Sequence, residues 1–160
     1  MEFNADTVAH YLKYGFDCEK IKTCLITHSH SDHLYVDDVE IFGEHYSGKH
    51  GGITFYSARD GYEKLNEKVA KIVGSNVINV TLAEAGKRFE FRGNNNKYSV
   101  LPLSADHDPN ASSIFYSIEC DGKKLLYAHD TGYFPEETFE LLKKEGHFDL
   151  LSLDCTGCLA

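Results

Sequence analysis

The spacing of apolar residues divides this chain into short elements of two kinds. Between Phe3 and Tyr14 the intervals are helical, so Val8, Leu12 and Tyr11 can share a face, and Gly15 ends the segment. A polar turn or short helix, Asp17 to Lys22, leads to the apolar run Cys24-Leu25-Ile26, which predicts a buried strand continuing to Thr27. Val36, Val39, Ile41 and Phe42 suggest a short helix. Gly43 to Gly52 reads as a loop with His45 and His50, and its glycines Gly48, Gly51 and Gly52 suit an active-site flap. Ile53-Thr54-Phe55-Tyr56 predicts a strand, and Ser57 is placed to cap a helix from Ala58 to about Val73. In that helix Tyr62, Leu65, Val69, Ile72 and Val73 form one apolar stripe, which Gly74 stops.

The second half is richer in strands. Val77 to Leu82 reads as a short strand or extended link, and Phe89 and Phe91 alternate with charges as in a half-exposed strand. Gly93-Asn94-Asn95-Asn96 is a hairpin turn by composition, with Tyr98 to Leu103 returning. Ser113 to Cys120 alternates, Asp121-Gly122 makes a tight turn, and Lys124 to His129 runs back. Pro135-Glu136-Glu137 opens a helix with apolar Phe139, Leu141 and Leu142, and Gly146 closes it. Phe148 to Leu153 is almost wholly apolar and predicts a strand buried on both faces. This order suits layered αβ packing, with mixed sheets inside and helices outside.

Composition narrows the picture. A chain of 160 residues with 42% hydrophobic content has the size and core of one domain, residues 1–160. No apolar stretch reaches membrane-span length, and the acidic, polar start Met1-Glu2-Phe3-Asn4 has no signal-peptide character. The formal charge of −9 argues against broad nucleic-acid adhesion, although bound dications would reverse the local field for a small anionic substrate. Cys18, Cys24, Cys120, Cys155 and Cys158 are odd in number, which fits free thiols in a reducing cytosol. Cys155-Thr156-Gly157-Cys158 has no second pair and is a weak zinc or redox signal.

The chemistry concentrates in Thr27-His28-Ser29-His30-Ser31-Asp32-His33. Where the chain stays extended, residues two apart point to one side, so His28 and His30 can face one cation. Asp32 and His33 follow as the chain turns and can reach a second cation. Neutral imidazole and carboxylate suit zinc, manganese or iron.

This segment resembles the His-x-His-x-Asp-His signature of the metallo-β-lactamase-fold hydrolases. The resemblance implies an α/β (α+β) fold, the αββα sandwich with its metals at one edge, and two divalent ions, zinc first, with manganese or iron as alternatives. It also implies that His107, in Asp106-His107-Asp108, joins His28 and His30 on the first metal; the other reading is a turn histidine bonded to a neighbouring aspartate. Asp130, in Asp130-Thr131-Gly132, corresponds to the carboxylate that bridges both metals; the other reading is a strand-end aspartate capping a turn. Asp32 and Asp130 would fix the cations and could take up the proton of an attacking water. Asp154 also follows a strand and ranks below Asp130 for the bridge, while His129 faces away from the metal side as packing or support.

Two departures accompany the resemblance. The family places several strands before its signature and a final metal-binding histidine after its last aspartate; His147 comes too early to serve. The chain therefore reads as a sandwich clipped at both ends. The Thr-His-Ser-His-Ser-Asp-His form looks most like the phosphodiesterase branch, which includes PhnP-like cyclic phosphodiesterases and tRNA 3′-processing nucleases. With no basic nucleic-acid-gripping arm, the expectation is a cytoplasmic, metal-dependent hydrolase cleaving a small phosphodiester with a metal-activated hydroxide. Lactone or thioester hydrolysis is the alternative within enzymes. A non-catalytic metal-binding domain, dimeric through exposed sheet edges, is the alternative outside them.

Overall fold

The computed structural model describes residues 2–17, 20–43, 52–93 and 95–154. Cys18, most of the glycine-rich loop with His45 and His50, Asn94, and the Cys155–Cys158 pair lie outside the described residues. The chain divides into two compact units, Met1–Ala83 and Glu84–Ala160.

The first unit is built on a parallel sheet. Strands β1 (Thr23–Ile26), β2 (Ile53–Ser57) and β3 (Ile78–Leu82) lie side by side in that order, with Leu25 opposite Tyr56 and Phe55 opposite Val80. Parallel neighbours need crossover connections. A 3-10 helix, Val36–Phe42, lies in the first crossover and helix α2, Arg59–Val69, in the second. Helix α1, Thr7–Tyr14, precedes β1 and ends where Gly15 turns left-handed at φ 66°, its N–H donating to the Tyr11 carbonyl. Phe3, Phe42 and Phe55 pack ring to ring at 5.5–5.9 Å around a core that includes Ile26, Leu34, Val39 and Leu65.

Several expectations change here. Leu12 is 76% exposed, and only Val8 and Tyr11 of the predicted stripe pack against the core. Ser57 is the last residue of β2 and does not cap; Ala58 occupies the N-cap without a side-chain bond. Helix α2 stops at Val69, so Ile72 reaches the core from the following turn while Val73 points to solvent.

The second unit is a five-stranded sheet in the order β4 (Phe89–Gly93), β5 (Asn96–Ser104), β6 (Ile114–Cys120), β7 (Lys123–Ala128), β8 (Leu150–Leu153). All neighbours are antiparallel except β7 and β8, which are joined through helix α3, Glu136–Glu145. Asp121 and Gly122 both take positive φ, 50° and 72°, the geometry that lets a two-residue hairpin follow the strand twist. Acids in the first turn of α3 and lysines in its last complement the helix dipole. Leu142 closes over Leu101, Leu103, Phe115, Leu126 and Ala128. At the far end of α3, Glu145 receives bonds from Arg88 and Ser117. Burial pushes its carboxyl up, but those bonds and the charges of Arg88 and Lys124 outweigh burial and hold it below the usual carboxylate range.

Strand β8 departs from the apolar pattern. Leu150, Leu151 and Leu153 are 61%, 55% and 50% exposed, not buried on both faces. The strand lies at the sheet's edge, hydrogen-bonded to β7 alone among the described strands. Residues 114–117 of β6, the sheet's central strand, are buried on both faces, and the run of apolar residues has that burial there. Phe139 is likewise 50% exposed on α3. Among the described residues no helix is long and apolar enough to cross a membrane.

Candidate metal centre

In the first unit the histidine segment leaves β1 at Ile26 and bends at once. The extended geometry predicted for His28 and His30 is not what brings them together. The N–H groups of His33 and Leu34 both donate to the His30 carbonyl, at 3.0 and 2.7 Å, and this turn folds His33 back over His28. The His28 and His30 rings sit 4.5 Å apart and the His28 and His33 rings 4.2 Å apart, centre to centre. A ring nitrogen of His28 lies within 4.8 Å of one from His30 and of one from His33. Asp32 is 74% exposed, with Oδ2 3.6 Å from His33 Nε2.

Two of the imidazoles share one hydroxyl neighbour. The Thr27 hydroxyl lies 3.0 Å from His28 Nδ1 and 3.3 Å from His33 Nδ1. One hydroxyl oxygen can accept from two ring N–H groups, an arrangement that would leave Nε2 of each ring free to bind a cation. His28, His33 and Thr27 are buried, so these contacts are little screened by solvent. A donor set of imidazoles with an adjacent carboxylate fits a borderline divalent cation such as zinc.

The loop is braced from outside. Ser29 donates to Asp60 at 2.6 Å, and Lys64 donates to the Ser29 carbonyl at 3.0 Å, both from α2. Gly61 between them lets the helix approach closely, since a Cβ there would meet Ser57 Oγ at 2.2 Å. Nothing in the local sequence pattern marks Asp60 or Lys64, because their role depends on which face of α2 reaches the loop.

In the second unit, His107 follows β5 and Asp130 follows β7. These strands flank β6 and run in the same direction, so both loops emerge at one end of the sheet. The loops are tied: Thr131 Oγ1 accepts from the Asp106 N–H at 3.1 Å, and the Gly132 N–H donates to the Asp106 carbonyl at 2.7 Å. A Cβ on Gly132 would lie 3.0 Å from the Asp106 carboxylate, so the close crossing favours glycine. Asp130 stands at φ 52°, a left-handed conformation that costs a non-glycine residue about 1 kcal/mol or more and that clusters at functional sites. His129 stacks on Tyr127 at 4.3 Å and pairs with Ser152 Oγ at 2.8 Å. The Asp154 N–H donates to the Ala128 carbonyl, extending the β7–β8 ladder.

Comparison with known proteins gives a consistent result. Residues 9–158 match the family described as the beta-lactamase superfamily domain. A UPF0173 metal-dependent hydrolase of Korarchaeum cryptofilum is 30% identical over 119 residues, 74% of this chain and 46% of that protein. Among solved structures, a diphosphatase of the PhnP family matches at TM-score 0.65 and 21% identity, over 94% of this chain and 52% of its own. Zinc-bound PqqB from Methylobacterium extorquens matches at TM-score 0.69 and 16% identity, over 96% of this chain and 54% of its own. The chain thus spans about half the length of these relatives.

Proposed function

Because the chain belongs to the beta-lactamase superfamily domain family, we propose that it acts as a metal-dependent hydrolase with a dinuclear centre, zinc its first choice, and a small phosphodiester its substrate. The observation that carries this reading is the turn that packs His28, His30 and His33 together with Nδ1 of two rings engaged by Thr27. By the family resemblance, His28, His30 and His107 would hold the first cation, Asp32 and His33 the second, and Asp130 would serve both. When bound, such a pair acidifies a shared water and neutralises developing oxyanion charge.

The chain's own groups do the rest. With the Thr27 hydroxyl beside Nδ1 of His28 and His33, Nε2 of both rings would present its lone pair without reorganising. The exposed Asp32 carboxylate takes up the proton that the attacking water loses. The left-handed turn at Asp130 and the Asp106–Gly132 tie set the Asp130 carboxylate, which would serve both cations, on a tied loop. A likeness to a PhnP-family diphosphatase favours attack at phosphorus over attack at a lactone or thioester carbon. The net charge of −9 favours a small anion held by the metals over nucleic acid. Cys24 and Cys120 as free thiols accord with a reducing cytosol.

The test is metal analysis combined with turnover of bis-p-nitrophenyl phosphate, a lactone and a thioester. We expect two equivalents of metal per chain and hydrolysis of the diester, both lost on Asp32→Ala and His107→Ala. One equivalent or fewer with no turnover would turn the assignment into a non-catalytic metal-binding domain. Turnover of the lactone or thioester alone would move the substrate class.

A further inference from the structure

Glu2 lies far in sequence from the histidine segment yet sits directly behind it. Its N–H donates to the Leu25 carbonyl at 2.9 Å, and the next residue, Phe3, donates to the His33 carbonyl at 2.8 Å. The Tyr35 N–H returns to the Phe3 carbonyl at 2.6 Å, and Phe3 bridges Leu34 in parallel register. The segment is therefore stitched to both ends of the metal loop. Glu2 itself holds φ 56°, a strained value for a residue with a Cβ. Its side chain is 11% exposed, with Oε2 accepting from the Thr27 N–H at 3.3 Å; Oε1 is buried, makes no hydrogen bond among the described residues, and lies 3.5 Å from His33 Nδ1, an electrostatic contact.

A buried carboxylate needs partners of opposite polarity, and among the described residues those within reach of Glu2 are the Thr27 amide and the His33 ring. We propose that Glu2 is a positioning residue. With the Thr27 hydroxyl, it keeps the His33 proton on Nδ1, so that Nε2, the atom beside Asp32, carries the lone pair. A carboxylate behind a ligating imidazole fixes the ring's orientation and raises its basicity. Glu2 touches neither substrate nor metal; it acts through His33. The inference deepens the proposed metal centre and rests on that reading only for the affinity measurement.

The experiment uses the full 160-residue chain. Long-range nitrogen-15 NMR of the metal-free protein reads the tautomer of His33, and competition with a chromophoric chelator reads zinc affinity. The wild type is expected to show the Nδ1–H form. Glu2→Leu is expected to populate the Nε2–H form and to weaken zinc binding about tenfold or more. Glu2→Gln, whose amide oxygen keeps a negative partial charge facing Nδ1, is expected to keep the tautomer and lose affinity severalfold. An Nε2–H form in the wild type would overturn the proposal, as would a tautomer and affinity unchanged in Glu2→Leu. If Glu2→Leu fails to fold, unchanged zinc affinity in Glu2→Gln overturns it instead. A wild type that shows the Nδ1–H form but binds no zinc would remove the metal centre and still support this role for Glu2.

Discussion

Substituting Gly61 by alanine tests how closely α2 must approach the sheet to brace the histidine loop. In an exposed helix the change would stabilise by about 1 kcal/mol, because glycine loses more backbone entropy than alanine. Here the new methyl would lie 2.2 Å from Ser57 Oγ, 3.3 Å from Ser57 Cβ and 3.5 Å from Leu34 Cδ2. Ordinary contact begins near 3.4 Å, so the hydroxyl must rotate away or the helix must move by about an ångström. Ser57 and Leu34 are both fully buried, so rotation meets a packed wall. Overpacking of this kind costs about 1–3 kcal/mol, which exceeds the helical gain. The expected net effect is a loss of about 1 kcal/mol, with Asp60 displaced from Ser29. Ser57→Ala should relieve the clash at little cost, since Ser57 Oγ is buried without a hydrogen-bond partner among the described residues. The double variant should then recover the helical gain and be more stable than Gly61→Ala by at least about 1 kcal/mol. Urea denaturation of the four proteins gives the coupling energy directly. Additivity within about 0.5 kcal/mol would show that the close approach at Gly61 is not a steric requirement.

Asp130→Gly should be more stable than Asp130→Ala by about 1 kcal/mol in thermal unfolding, reversing the usual preference, because only glycine takes φ 52° without strain; equal stabilities would refute a strained turn. Glu145→Gln should cost about 1–2 kcal/mol at pH 7 through its bonds to Arg88 and Ser117. Because the folded carboxyl titrates below its usual value, that contribution is present above about pH 4.3 and is lost as pH falls through the folded value, so the two stability–pH curves should converge in acid. Burial pushes the Cys24 thiol up to about 12, so a thiol reagent at pH 8 should label Cys120 in the native chain and Cys24 only on unfolding, read by peptide mass spectrometry. Leu34→Ala should cost about 2–5 kcal/mol in urea denaturation, as a fully buried side chain beneath the histidine turn; a loss under 1 kcal/mol would contradict the packing.

Much of the fold was legible because its signals are local. The strands Cys24–Ile26 and Ile53–Tyr56, the Asp121-Gly122 hairpin, and the glycines ending α1 and α3 each follow from a few neighbouring residues and their backbone preferences. The histidine-rich segment was equally plain, since ligand chemistry shows in residue types. Exposure was less legible. The leucines of β8 carry the pattern of a central strand, but hydropathy cannot tell a strand with two neighbours from one with a single neighbour. Ser57 had a capping composition at a helix start, yet the strand extended through it and turned its hydroxyl inward against Gly61.

The sequence alone determined the concentration of imidazole and carboxylate donors in residues 27–33, the alternation of short strands and helices, and the places where the backbone must turn, because these depend on side-chain type and on contacts a few residues apart. Only the tertiary structure decided what stands behind the histidines. Thr27 between two imidazoles, Glu2 behind His33, Asp60 on Ser29 and the tie from Asp106 to Thr131 and Gly132 depend on strand order, a helix face and a turn. Three of these supports join residues from about 25 to 31 positions apart, and no periodicity along a chain records which distant groups will share a proton.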